Sequence, residues 1–177
     1  MPDIQPTLVL DLDGTLVDSA ADLVATLNVI LAGESLPPVT LEDATSMVGY
    51  GARVMIDNAL RAQGQVPEDD RLNRLMRAFI DHYGKHLADE TRPYPGAVTA
   101  LDRFAADGWR LAVCTNKLVG MARTLLETLE IADRFAAITG QDTFSFRKPD
   151  PRHLTETIAL AGGDPSLAVM VGDSEVD

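Results

Sequence analysis

The sequence has few cysteines, few basic residues and no long apolar run, and each shortage excludes a class of protein. A single cysteine in 177 residues rules out an internal disulfide framework and fits a reducing compartment. Only 15 basic residues stand against 27 acidic ones, so nucleic acid and anionic membranes are not expected as partners. No apolar run approaches the ~18 residues of a membrane span, and residues 1–5 do not resemble a signal peptide. These absences predict a soluble, cytoplasmic, acidic protein.

Four short apolar runs have the pattern of strands that are buried on both faces of a parallel sheet. They are Thr7–Leu10, Arg110–Cys114, Ala136–Thr139 and Ala168–Val171. Helical patterns at Leu118–Leu129 and Pro151–Ala161 separate the last three, and another at Gly96–Asp107 directly precedes them. Strands that alternate with helices predict an α/β fold with a doubly wound, Rossmann-like parallel sheet.

The stretch between the first two predicted strands contains helical patterns alone. Ser19-x-x-Asp22 and Thr40-x-x-Asp43 resemble capping boxes, and apolar positions at helical spacing bring the predicted helices to four. A single strand-to-strand crossover needs only one helix. The sequence therefore predicts a small α-helical cap domain over residues 17–88, inserted into a core formed by residues 1–16 and 89–177.

Polar residues follow the predicted strands where an open parallel sheet binds its ligands. They are Asp11 and Asp13 after the first strand, Thr115 and Asn116 after the second, Lys148 before the last helix, and Asp173 and Asp177 after the last strand. Clustered carboxylates repel one another unless a cation compensates, and Mg²⁺ is bound by a few carboxylates together with substrate phosphate. The pattern indicates phosphoryl chemistry at a magnesium site.

Structural alternatives exist for each of these residues. The Asp13-Gly14 pair is common in turns, and Asp11 or Asp13 can cap a helix. Thr115 or Asn116 can cap the helix that follows, and a lone lysine such as Lys148 is often a solvated surface group. The expected convergence of all these residues at one edge of the sheet favours the functional interpretation.

Four motifs in this order resemble the haloacid dehalogenase-like hydrolase superfamily. They are Asp11-x-Asp13-Gly14-Thr15, the Thr115-Asn116 strand end, Lys148 before a proline, and Gly172-Asp173-Ser174-x-x-Asp177. The inserted helices are similar to the helical cap of that superfamily. Within it, Val48–Arg53, Thr115–Lys117 and Lys148–Pro151 are most similar to the phosphoglycolate phosphatase subfamily.

This resemblance implies a Mg²⁺-dependent phosphatase that hydrolyses a small phosphate monoester, with 2-phosphoglycolate as the leading substrate. Asp11 is then the nucleophile that forms an aspartyl-phosphate, and Asp13 is the general acid and base. The implied Mg²⁺ ligands are Asp11, the backbone carbonyl of Asp13, and Asp173, with Asp177 in support. The implied phosphate ligands are the Gly14 amide, Thr115, Asn116 and Lys148, and Lys148 is also counted among the catalytic residues.

The loop before the third predicted helix is expected to contact substrate. Gly49, Tyr50 and Gly51 lie in this loop, where glycine lets the backbone approach a ligand closely. Arg53 is a candidate for bidentate binding of a substrate carboxylate. The alternative is that Arg53 begins the third helix and faces water.

Other functions remain open at this level. A pyrophosphatase or a phosphomutase of the same superfamily would carry the same core motifs. A phospho-receiver signalling domain shares the sheet, the acids, Mg²⁺ and the lysine, although it needs no helical insertion. A binding protein without catalysis is a third alternative.

The superfamily resemblance also implies that the C-terminal part of the core is missing after Asp177. A further helix and one or two strands would normally flank the fourth motif. Without them, Ala168–Val171 is expected to form an apolar sheet edge, which predicts a homo-oligomer or edge-strand association. A terminal Asp177 is expected to be frayed and poorly placed to support a metal.

Overall fold

The computed structural model describes residues 5–45 and 50–177 and divides into two compact units. One unit comprises the chain up to Asp18 together with Arg92–Asp177, and the other is Ser19–Thr91. The sequence prediction ends the first core segment at residue 16 and begins the second at residue 89, whereas the structure places these two boundaries at residues 18 and 92.

Over its described residues, 5–18 and 92–177, the first unit contains six strands and three helices. The strands are β1 (Thr7–Leu10), β2 (Val17–Asp18), β3 (Arg92–Pro93), β4 (Arg110–Cys114), β5 (Ala137–Thr139) and β6 (Ala168–Val171). The helices of this unit are α5 (Ala97–Ala106), α6 (Val119–Thr128) and α7 (Pro151–Leu160), following α1–α4 of the second unit. Short 3₁₀ turns at Ala132–Arg134 and Pro165–Leu167 complete it.

The main sheet has the strand order β5-β4-β1-β6, and every neighbouring pair is parallel. The strands β1, β4 and β5 are mostly apolar and mostly buried, because both faces of the sheet are covered there, whereas Val169 and Val171 of β6 are exposed. On one face Val9, Ala112 and Cys114 are fully buried and pack with Ile158 and Ala161 at the end of α7. The predicted doubly wound α/β class is therefore confirmed, with β1 in the interior of the sheet.

A second, two-stranded sheet was not predicted from the sequence. It pairs β2 with β3 in antiparallel orientation, with Val17 opposite Pro93 and Asp18 opposite Arg92. The Tyr94 N–H also donates to the Leu16 carbonyl at 3.1 Å. These bonds connect the two points where the chain leaves and re-enters the first unit. The sequence does not predict this sheet because strands of two residues are too short to show an apolar periodicity.

The second unit is entirely helical in the part that the structure describes. Its helices are α1 (Ala20–Gly33), α2 (Leu41–Thr45), α3 (Ala52–Ala62) and α4 (Asp69–Tyr83). Both α1 and α3 pack against α4, and the apolar stripes supply a buried core that includes Leu27, Ile56, Leu60 and Phe79. The number of helices agrees with the prediction: α1, α3 and α4 carry the apolar stripes, and α2 follows the predicted capping box at Thr40.

The prediction of a capping box at Ser19 is wrong. Ser19 precedes α1 without a side-chain capping bond, and the buried Asp22 carboxylate instead accepts the Glu90 and Thr91 N–H groups and the Thr91 hydroxyl. Asp22 thereby joins the two ends of the helical unit, a partner that lies 69 residues away. At the second box, Thr40 does accept the Asp43 N–H at 3.2 Å.

No helix within residues 5–45 and 50–177 combines the length and the apolar character that crossing a bilayer requires. The longest, α4, has 15 residues and carries charges along its length.

Candidate active site

The carboxyl ends of the parallel strands bring the predicted polar residues to one edge of the sheet. Asp11 follows β1, and its N–H donates to the carbonyl of Val171 at the end of β6 at 2.9 Å. Thr115 follows β4, and its N–H donates to Thr139 at the end of β5 at 3.1 Å. Residues far apart in the chain are thus aligned by the sheet itself.

Lys148 is a buried cation at this edge, and it contacts two carboxylates. Its Nζ lies 2.9 Å from Asp11 Oδ1 and 2.5 Å from Asp177 Oδ1, and Lys148 is only 4% exposed. The other oxygen of Asp177 accepts the N–H and the hydroxyl of Ser174 at 3.0 and 2.9 Å. The expectation that Asp177 would be frayed is therefore wrong, because Lys148 and Ser174 hold both of its carboxylate oxygens.

The charges of this trio are strongly coupled. Burial raises the pKa of Asp11 to about 6 although Lys148 acts in the opposite direction. Burial alone would lower the pKa of Lys148, but the attraction of Asp11 and Asp177 outweighs it and the pKa is raised. Burial likewise opposes ionisation of Asp177, and Lys148 overrides it to lower that pKa. The like charge that raises the pKa of Asp11 is Asp177 and not the expected neighbour, Asp13.

Three of the predicted metal ligands form a cluster that suits a divalent cation. Asp11, Asp173 and Asp177 each offer a carboxylate oxygen, and these oxygens all lie within 4.8 Å of one another. The Thr15 hydroxyl donates to Asp173 Oδ1 at 2.6 Å and orients that carboxylate. An all-oxygen, carboxylate-rich set is the chemistry that Mg²⁺ prefers, so these residues fit such an ion.

Gly14 has a role different from the predicted one. Its N–H, expected to bind phosphate, donates instead to the Val17 carbonyl at 2.9 Å and closes the turn after β1. Gly14 has φ +90°, and a Cβ at this position would collide with the Asp173 carboxylate. Glycine is therefore needed both for the backbone conformation and for the close approach of a candidate metal ligand.

Replacing Gly14 with alanine should destabilise the fold and weaken Mg²⁺ binding. The strained φ alone costs about 1–3 kcal/mol of unfolding free energy, and the added methyl group displaces Asp173. Gly96→Ala is the matched control, because Gly96 has φ +86° but open space at the Cβ position. Denaturant unfolding and calorimetric Mg²⁺ titration should show strain in both variants and weakened metal binding in Gly14→Ala only. Equal Mg²⁺ affinity in the two variants would contradict the role of the close approach.

Thr115 and Asn116 do not cap the helix that follows them. The first helical residue of α6 is Val119, and its N–H is accepted by Asp142 at 2.8 Å. Thr115 instead accepts the Lys117 N–H at 3.1 Å, and Asn116 donates to the Lys148 carbonyl at 3.3 Å. The capping alternative is thus excluded, and both side chains are buried at the edge that holds Asp11.

Asp13 has a partner that the sequence reasoning missed. The Lys117 Nζ lies 2.8 and 2.9 Å from the two oxygens of the Asp13 carboxylate, and both residues are 8% exposed. The Asp13 side chain is therefore not part of the three-carboxylate cluster. The available signal was Lys117 itself, a basic residue directly after the Thr115-Asn116 motif.

His153 is a second residue that the sequence did not single out. It is fully buried in α7, and its Nδ1 accepts the Lys148 N–H at 3.1 Å. Burial and the nearby Lys148 charge lower the pKa of His153, so a neutral ring accepts this hydrogen bond. His153 thereby fixes the backbone from which the Lys148 side chain extends.

The predicted substrate residues of the insertion lie in the helical unit. Gly49 falls outside the described residues, Tyr50 is partly exposed, and Gly51 with φ +90° directly precedes α3. The Arg53 guanidinium donates to Asn73 and, at 2.7 Å, to Asp69. Their contact with substrate stays a prediction.

Comparisons with known proteins match the chain to one family. The sequence profile of the haloacid dehalogenase-like hydrolase family matches residues 8–177. The chain is 50% identical over 173 residues to the phosphoglycolate phosphatase of Mesorhizobium japonicum, covering 98% of this chain and 76% of that protein. It is 51% identical over 172 residues to the same-named protein of Agrobacterium fabrum, covering 97% and 73%.

Solved structures give the same result for the fold. A predicted phosphoglycolate phosphatase from Haemophilus somnus superimposes with a TM-score of 0.87 at 29% identity, covering 98% of this chain and 79% of that one. The matching profile spans the helical insertion as well as the sheet edge where Lys148 joins Asp11 and Asp177. In sequence and in fold, this chain belongs to the haloacid dehalogenase-like hydrolase family.

Proposed function

We propose that this chain is a Mg²⁺-dependent phosphatase that hydrolyses 2-phosphoglycolate through an aspartyl-phosphate intermediate. The observation that carries the proposal is the buried Asp11 carboxylate. Lys148 contacts both Asp11 and Asp177, and these two carboxylates form a cluster with that of Asp173. The family is one of hydrolases, and the relatives at 50% and 51% identity are named phosphoglycolate phosphatases.

Asp11 is the proposed nucleophile. Its Oδ1 accepts the Leu12 N–H at 2.7 Å and lies 2.9 Å from Lys148, so the carboxylate is held in one orientation. Attack by an Asp11 oxygen on phosphorus forms the new P–O bond as the P–O bond to the leaving alkoxide breaks. Splitting the displacement into two steps, formation and hydrolysis of the acyl phosphate, lowers the barrier of each.

Asp13 is the proposed general acid and base. It gives its proton to the leaving oxygen in the first step and takes a proton from water in the second. Its side chain is not among the three clustered carboxylates and is held by Lys117, which suits a group that serves the leaving oxygen and not the metal.

The remaining residues of the edge bind the transferring phosphoryl group and the metal. Lys148 supplies positive charge, and Thr115 and Asn116 supply a hydroxyl and an amide. A hydroxyl that accepts one hydrogen bond, as Thr115 does from Lys117, still has its own hydrogen to donate to phosphate. Asp11, Asp173 and Asp177 would hold Mg²⁺, together with the proposed Asp13 backbone carbonyl. When bound, the ion neutralises phosphate charge, which is the main requirement of phosphoryl transfer.

A Mg²⁺-dependent phosphate-release screen tests this function. We expect 2-phosphoglycolate to be hydrolysed faster than pyrophosphate, nucleotides and hexose phosphates, and a chelator to abolish the activity. Preference for pyrophosphate, or transfer of phosphate between hexose positions, would replace the monoesterase assignment with one of its superfamily alternatives. The single cysteine, which fits a reducing compartment, and the likeness to phosphoglycolate phosphatases also lead us to expect a cytoplasmic enzyme.

A further inference from the structure

Lys117 is a buried cation whose position is not explained by stability. Among the side chains that the structure describes, Lys117 and Lys148 are the only lysines or arginines that are buried. A buried ion pair contributes little net stability compared with apolar residues of the same volume. The Asp13–Lys117 pair stands at the catalytic edge, so a role in the reaction is the better explanation.

The two buried lysines contact different carboxylates. Lys148 contacts Asp11 and Asp177, which belong to the metal cluster and to the phosphoryl side of the site. Lys117 contacts Asp13, the group proposed to serve the leaving oxygen. The positive charges are therefore divided between the transferring group and the leaving group of the ester.

This arrangement of the two lysines suits a substrate whose leaving group carries a carboxylate close to the ester oxygen. In 2-phosphoglycolate a single carbon separates the leaving oxygen from the carboxylate carbon. The Lys117 Nζ lies 2.8 and 2.9 Å from the two Asp13 oxygens, one of which must reach the leaving oxygen. Two hydrogen bonds in succession place the ammonium within roughly 6 Å of that oxygen, which is the range of the substrate carboxylate.

We infer that Lys117 binds the carboxylate of the leaving group and so selects phosphate esters that carry an acid one carbon from the ester oxygen. This inference rests on the proposed function, because it needs Asp13 at the leaving oxygen. It differs from the sequence prediction that Arg53 binds the substrate carboxylate. Lys117 lies in the same unit as Asp11, whereas Arg53 lies in the helical unit and contacts Asp69.

The test compares two esters of equal length, 2-phosphoglycolate and 2-hydroxyethyl phosphate, in the full chain with Mg²⁺. The wild type should prefer the carboxylate ester in kcat/KM, and Lys117→Gln should reduce this preference by about ten- to a hundredfold, the value of one charged hydrogen bond. Lys117→Arg, which keeps but relocates the charge, should give an intermediate ratio. Arg134→Gln removes a cation that pairs with the exposed Asp102 and should leave the ratio unchanged.

A binding measurement separates recognition from proton transfer. The non-hydrolysable pair 3-phosphonopropionate and propylphosphonate differ only in the carboxylate, and neither requires Asp13 to move a proton. Calorimetric titration of the wild type should show tighter binding of 3-phosphonopropionate, and Lys117→Gln should bring the two affinities together.

Each other outcome overturns a specific statement. If Lys117→Gln slows both esters equally and preserves the difference between the phosphonates, Lys117 only holds Asp13 and the inference is wrong. If Arg53→Gln removes the preference instead, the carboxylate binds in the helical unit. If the wild type shows no preference for 2-phosphoglycolate, the substrate proposal fails and the inference fails with it. If thermal unfolding shows that Lys117→Gln is not folded, Lys117→Arg replaces it in the test. An unchanged kcat/KM ratio of 2-phosphoglycolate to 2-hydroxyethyl phosphate in Lys117→Arg would then contradict the inference.

Discussion

Replacing Asp11 with asparagine should abolish turnover, lowering kcat by about 10⁴-fold or more, as loss of a nucleophile does in other covalent enzymes. The physical reason is that an amide oxygen at this position cannot form an acyl phosphate that water then hydrolyses. Phosphate release and thermal unfolding should be measured together, so that loss of activity is not confused with loss of the fold. Asp102→Asn is the matched control, since this carboxylate is exposed and pairs with Arg134.

Asp13→Asn provides a sharper comparison with the Asp11 variant. An aryl phosphate has a leaving group that needs no proton, so Asp13→Asn should still form phospho-Asp11 but hydrolyse it slowly. A burst of phenolate and a trapped phosphoenzyme are expected in Asp13→Asn and neither in Asp11→Asn. Turnover that survives in Asp11→Asn would overturn the nucleophile assignment. A long-lived phospho-Asp11 in the wild type would favour a signalling receiver instead.

Replacing Lys148 with methionine should reduce both activity and stability. Loss of a preorganised charge that stabilises the transferring phosphoryl group costs about 10²–10³ in kcat. The substitution also leaves Asp11 and Asp177 close together without their cation. Removal of one partner from a buried ion pair costs about 3–5 kcal/mol of unfolding free energy at neutral pH.

The stability loss in Lys148→Met should depend on pH and on Mg²⁺. Without the lysine, the pKa of Asp11 rises further above its present value of about 6, whereas its unfolded value stays near 3.8. The folded state then binds the proton more tightly, so the missing stability returns as the pH falls from 7.5 to 5. Mg²⁺ should restore part of it at pH 7.5 by replacing the lost positive charge.

Denaturant unfolding at both pH values, with and without Mg²⁺, measures this effect. Lys85→Met is the control, because Lys85 is largely exposed, pairs with Asp81, and should change stability by less than about 1 kcal/mol. A deficit in Lys148→Met that is identical at pH 5 and pH 7.5 would show that carboxylate repulsion is not its cause.

The four strands of the main sheet could be predicted from the sequence because each is a local, mostly apolar run. Arg110–Cys114 and Ala168–Val171 coincide with the observed β4 and β6, and β5 begins one residue later than predicted. The rule that ligands bind at the carboxyl ends of parallel strands then predicted which polar residues would meet, and Asp11, Asp173 and Asp177 do so. Their placement is a consequence of chain direction and needs no knowledge of side-chain contacts.

Contacts between distant residues could not be predicted in this way. The local pattern predicts a capping box at Asp22, but its partners are Glu90 and Thr91 at the other end of the helical unit. The family resemblance predicts that the Gly14 amide binds phosphate, but in the turn after β1 this N–H donates to the Val17 carbonyl. The exposed Val169 and Val171 of β6 leave edge-strand association as a prediction, which the oligomeric state in solution would test.

The sequence by itself determined the α/β class, the positions of the four strands of the main sheet, and the charged residues that follow those strands or precede α7. These properties are local, because they follow from apolar periodicity and from adjacency along the chain. Only the tertiary structure decided which cation faces which carboxylate: Lys148 lies between Asp11 and Asp177, and Lys117 lies against Asp13 across 104 residues of sequence. Electrostatic interaction depends on distance through space between side chains on different strands, and no local pattern encodes that distance.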